Sequence, residues 1–84
     1  MADLKGLIEA VARALADQPD AVSVRESERR GATVYELQVA SGDLGRVIGR
    51  QGRTAAALRT LLASAAAADD KRVSLDIRDQ TGRS

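Results

Sequence analysis

Gly49-Arg50-Gln51-Gly52 is the segment of this chain best equipped to hold an anion. Two glycines bracket two polar residues, and glycine leaves no Cβ between the backbone and whatever approaches it. Arginines surround the segment at positions 46, 50, 53 and 59. No Asp or Glu occurs between Asp43 and Asp69, so residues 44–68 carry a net charge of +4. The remainder has nine basic and twelve acidic residues, a net −3. A nearly neutral protein that gathers its positive charge in one stretch is suited to an anionic partner. A helix opening after Gly52 would present N–H groups with no intrahelical acceptor and the positive end of its dipole. A phosphate placed there meets both, and Arg50 and Arg53 would add charge-assisted hydrogen bonds. The plain alternative is a helix–helix turn whose arginines are merely solvated.

Composition narrows the chemistry further. The 84 residues contain no Cys and no His. Disulfides, thiolate metal sites, the usual zinc ligand and the usual general base near neutral pH are therefore all missing. No catalytic residue, metal ligand or cofactor site is readable, so the expectation is a protein that is not an enzyme. Tyr35 is the one aromatic residue, which leaves no stacking platform for bases. No apolar run approaches the length that spans a bilayer, and the first residues lack the pattern of a signal peptide, so a cytoplasmic protein with no membrane partner is expected. Ala supplies 16 residues and the larger apolar types 21, enough for one thin core in one domain, residues 1–84.

The elements that would position the glycine turn follow from periodicity. Leu4, Leu7, Ile8, Val11 and Leu15 form one stripe at helical spacing, which predicts a helix over 3–16 capped by Asp3 and stopped by Pro19. Val22 and Val24 alternate with Ser23 and Arg25 in a strand over 21–28. Arg29-Arg30-Gly31 makes a turn with Arg29 and Arg30 at a solvated tip. Tyr35, Leu37 and Val39 share one face of a second strand over 33–40, with the tyrosine hydroxyl at the rim of the core. Ser41 or Asp43 can cap a short helix over 44–48. Gly45 within it either allows a close approach or serves packing. After the glycine turn, 54–68 is the strongest helix former, with Leu58, Leu61, Leu62 and Ala65 on its apolar face. Its alanines, 63 and 65–68, suit either a close-packed dimer contact or helix formation alone. A polar turn at 69–71 leads to a third strand over 72–78, with Val73, Leu75 and Ile77 inward. The domain core runs over about 3–79, followed by a flexible tail at 80–84. Two helices between the second and third strands make a crossover, so the expected fold is α+β: one three-stranded mixed sheet with three helices on one face.

Val47-Ile48-Gly49-Arg50-Gln51-Gly52-Arg53-Thr54, set between two helices, resembles the signature of K-homology (KH) domains. The order helix-strand-strand-helix-helix-strand resembles the type II KH arrangement, and a single domain of this length resembles the KhpA family of short bacterial single-KH RNA-binding proteins. The resemblance covers nearly the whole chain. It implies that Gly49, Arg50, Gln51 and Gly52 clamp the backbone of about four nucleotides of single-stranded RNA. It implies that Ile48 floors an apolar groove, that Arg46 and Arg53 flank the phosphates, and that Lys71, Arg72 and the Val73–Ile77 strand supply the opposite wall. Single-stranded DNA fits the same chemistry. The resemblance also implies a homodimer, or a heterodimer with KhpB, a larger protein carrying its own KH domain. Its implied setting is RNA regulation linked to cell division and envelope growth. A second reading, motivated by the thin core and the Ala-rich helix, is a dimerisation or adaptor module whose main role is to bind such a partner.

Overall fold

A computed structural model describes residues 3–68 and 70–81. Helix α1 spans Leu4–Leu15, strand β1 Ser23–Arg29, strand β2 Ala32–Val39, helix α2 Leu44–Ile48, helix α3 Arg53–Ala68 and strand β3 Arg72–Asp79. Single tight turns occupy Pro19–Ala21, Ser41–Asp43 and Arg50–Gly52. The expected element order is present.

The Asp3 carboxylate accepts from the Gly6 N–H at 3.0 Å and caps α1. Arg30 and Gly31 both take positive φ, 51° and 80°, so a two-residue mirror-image turn joins β1 to β2 with Arg29 opposite Ala32. β1 and β2 run antiparallel, while β2 and β3 run parallel with Tyr35 beside Leu75 and Leu37 beside Ile77. The sheet order β1-β2-β3 leaves β3 at an edge. The inner sheet face, with Tyr35, Leu37, Leu75 and Ile77, packs with Ile8, Ala12, Val47, Leu58 and Leu62 of the three helices in one core. The outer face is polar. There Arg78 pairs with Glu36 at 3.6 Å and Asp76 at 3.4 Å, both in solvent.

The expectations for the α2 cap and for the apolar faces of α3 and α1 need correction. Neither Ser41 nor Asp43 caps α2 through its side chain. Asp43 is buried instead and accepts from the backbone N–H groups of Asp17 at 3.1 Å and Gln18 at 2.9 Å, so it pins the chain leaving α1. Leu61 is 55% exposed, because α3 buries Ala55, Leu58, Leu62 and Ala66, and one residue of helix turns Leu61 away from that stripe. Leu7 and Leu15 likewise sit at the margin of α1's contact, whose buried residues are Ile8 and Ala12. At the C-terminal end, Asp79 accepts from the N–H and hydroxyl of Thr81, so position 81 is tied to β3. The last three residues of the expected tail, 82–84, lie outside the described residues, as does Asp69 of the polar turn.

Candidate nucleic-acid interface

The glycine turn is built on two left-handed glycines and one left-handed Gln. Gly49 has φ 84° and ψ 168°, a conformation essentially confined to glycine. A Cβ there would collide with the Thr54 side chain and lie 2.9 Å from the Thr54 nitrogen. Gln51 adopts φ 57° and Gly52 φ 72°. The Gly49 N–H still bonds back to the Gly45 carbonyl at 2.9 Å, and the Gly52 N–H bonds to the Gly49 carbonyl at 3.0 Å. The turn therefore closes α2 and opens α3 within four residues. A Cβ on Gly52 would meet nothing within 4 Å, so that α-carbon faces open space.

Arg50, Gln51 and Arg53 are exposed around this turn. Among the described residues neither Arg50 nor Arg53 pairs with a carboxylate, and the Arg53 guanidinium only reaches the Gln51 amide oxygen at 3.5 Å. No acidic residue occupies the first turn of α3, whose N-terminal dipole is left uncompensated. Arg46 differs. Its guanidinium pairs with Asp17 at 3.1 Å and lies 3.9 Å from Asp43. It is committed to the junction between α1 and α2 and stands apart from the free cations of the turn.

A groove runs from the turn along the seam between α3 and the edge strand β3. Its first part, about 270 Å³, is lined by Ile48, Gly52, Ala55, Arg59, Asp76 and Ile77. Its second part, about 310 Å³, is lined by Arg59, Leu62, Ala63, Val73, Ser74 and Leu75. Ile48 is half-buried and packs on the core while lining the groove. The 73–77 strand forms the opposite wall as expected. Lys71 does not join it, but lines a separate cleft with Asp3, Glu26 and Tyr35. Arg72 is exposed at the start of β3.

Sequence alone counts Arg59 among the arginines near the glycine turn but, several residues into a helix, reads it as solvated rather than as a site residue. The structure places it in both parts of the groove, with its Nε at 3.4 Å and Nη2 at 3.2 Å from the Leu75 carbonyl oxygen. The available signal was its spacing. Arg59 follows Ala55 by four residues and precedes Leu62 by three, which puts it on the border of the buried stripe. Among the described residues no group of three or more metal-ligating side chains is gathered, and no helix is long and apolar enough to cross a membrane.

Comparison with known proteins gives the family. The family described as "KhpA/KhpB, KH domain" matches residues 5–77. The RNA-binding protein KhpA of Treponema pallidum is 49% identical over 73 residues, covering 87% of this chain and 91% of that protein. The RNA-binding protein KhpA of Caldanaerobacter subterraneus is 48% identical over 71 residues, covering 84% and 95%. The RNA-binding protein KhpA of Chlamydia trachomatis is 40% identical over 77 residues, covering 92% and 99%.

Proposed function

The chain belongs to the KhpA/KhpB KH-domain family, and from that premise we propose that it binds single-stranded RNA through the Gly49–Gly52 turn and the groove beside it. One observation carries this reading: a left-handed glycine turn, flanked by unpaired Arg50 and Arg53, opens directly onto a groove whose far wall is a free strand edge. Phosphates of an incoming strand approach the open α-carbon side of Gly52 and meet the arginines and the positive end of α3. The nucleotide beyond them lies over Ile48 and Ala55, where apolar contact replaces the missing aromatic stacking. Gly49 shapes the turn from behind, and Arg46 contributes charge from the α1–α2 junction.

The test is the double substitution Arg50→Asp with Gln51→Asp, followed by fluorescence anisotropy on a short randomised RNA. Both side chains are exposed and carry no core contact, so the circular dichroism spectrum should be unchanged. Two negative charges replace one positive where phosphate would sit, and binding should fall below detection. Equal affinity of the folded variant and the wild type would refute the clamp.

A second reading is favoured by the outer face of α3. Leu61 projects into solvent from a helix whose other exposed positions are largely Ala. Self-association through that face, or pairing with a KhpB-like KH protein, would cover it and set two turns in one particle. The biological setting implied by the resemblance, RNA regulation linked to cell division and envelope growth, rests on that resemblance alone.

A further inference from the structure

The β3 edge and Arg59 line the groove together, and their chemistry is asymmetric. In a parallel strand the N–H and C=O of one residue point to the same side and alternate along the chain. The Leu75 carbonyl points away from β2, where Arg59 reaches it, so Val73, Leu75 and Ile77 direct their backbone groups along the groove. Arg59 takes hold of Leu75 by Nε and Nη2, the side edge of its guanidinium. That leaves the end-on edge, Nη1 with the second Nη2 hydrogen, as a fork of donors with no acceptor capacity. Among the described residues no carboxylate pairs with Arg59, and its position in both parts of the groove sets the fork at the groove's middle.

We infer that Arg59 is a specificity-determining residue that selects guanine or cytosine over adenine and uracil in the groove. A donor fork is satisfied by two neighbouring acceptors with no donor between them. Guanine offers O6 with N7, and cytosine offers O2 with N3. Adenine places an amine beside both N1 and N7, and uracil places N3–H between its two carbonyls, so either base leaves one arm of the fork facing a donor or nothing. The tether to Leu75 holds the fork in one orientation before the base arrives, which lowers the ordering cost of reading it.

This inference rests on the groove being an RNA site, and the experiment separates the two. Short single-stranded RNAs of equal length are compared by anisotropy: one composed only of A and U, others carrying G or C at a single position moved along the strand. The proteins are the wild type, Arg59→Lys, which keeps the charge and loses the fork, and Arg59→Met, which keeps the length and loses both. Thermal melts establish folding, and either variant suffices should the other be unfolded. The wild type should prefer the G- and C-bearing strands at one position by on the order of ten-fold. Arg59→Lys should still bind, with that preference, read as a ratio to its own affinity for the A/U strand, reduced to near unity. Wild-type binding with no preference, or a preference that survives in Arg59→Lys, overturns the role of Arg59 and leaves the clamp standing. Failure of the wild type to bind any of the strands overturns the clamp and the inference together.

Discussion

Gly49 and Gly52 bracket the same turn and yet do different work. Gly49 combines a glycine-only backbone conformation with a packing contact against Thr54, so Gly49→Ala incurs both strain and collision. Gly52 needs only the left-handed region and faces open space. Gly49→Ala should therefore lower stability by about 3 kcal/mol and Gly52→Ala by about 1 kcal/mol, read as shifts of the urea midpoint. The order should reverse in RNA affinity relative to folded protein, because the methyl added at Gly52 stands where the strand approaches. Equal stability losses would contradict the division. Tyr35 supplies a second test at this scale. Burial, then Glu26, then Asp3 raise its hydroxyl above the ordinary value of 10.0. The folded state thus binds the phenolic proton more tightly than the unfolded chain does. Its contribution is fully present below about pH 10 and is lost as pH rises through the higher folded value. Unfolding followed from pH 8 to 11 should show an alkaline decline that is shallower in Tyr35→Phe, and identical slopes would remove Tyr35 from the account.

Asp43 joins elements that are distant in sequence. It precedes α2, is almost fully buried, and receives two backbone N–H groups from the residues that follow α1. Asp43→Ala leaves both donors without that acceptor and should cost about 3 kcal/mol, whereas Asp43→Asn keeps one acceptor oxygen and should cost about half as much. A cost below about 0.5 kcal/mol for Asp43→Ala in chemical denaturation would show that water replaces the carboxylate freely. Such contacts explain which parts of the structure could be read from sequence. The strand alternation of Tyr35, Leu37 and Val39, the Asp3 cap and the glycine turn depend on neighbours in the chain, and periodicity reveals them. Asp43 looked like a local cap because capping is what an Asp before a helix ordinarily does. Its real partners lie 25 and 26 residues away, where no spacing rule reaches. The partner of Arg59 was illegible for the same reason: its acceptor is a carbonyl on strand β3, 16 residues on. Leu61 misled in the other direction, since three leucines in five positions of an Ala-rich helix cannot all face one sheet.

At the scale of the whole molecule the charge is sorted by place. Asp76 and Glu36 pair with Arg78 on the outer sheet face, and Asp17 and Asp43 pair with Arg46. Arg50, Arg53 and Arg59 have no carboxylate partner among the described residues, as Lys5, Arg25, Arg29, Arg30, Lys71 and Arg72 also have none, but these three lie in the acid-free stretch 44–68 that carries the glycine turn and one wall of the groove. About three phosphates neutralised per chain, at Arg50, at Arg53 and at the N-terminal end of α3 near Arg46, give a log–log salt slope near −2 for single-stranded RNA, since each contributes roughly −0.7. A second copy changes that count. If two chains associate through the outer face of α3, a strand long enough to reach both turns meets twice the number of arginines. Its slope should approach −4, roughly doubling with the sites, and its affinity should exceed that of a short strand by on the order of 100-fold through effective concentration. Leu61→Asp places a charge in the middle of that face without touching the core, because Leu61 is 55% exposed. Sedimentation should then report a monomer, and the long strand should return to the slope and affinity of the short one. A wild type that sediments as a monomer at high micromolar concentration, with one slope for both strands, would leave Leu61 as a solvent-facing residue of a single-clamp protein.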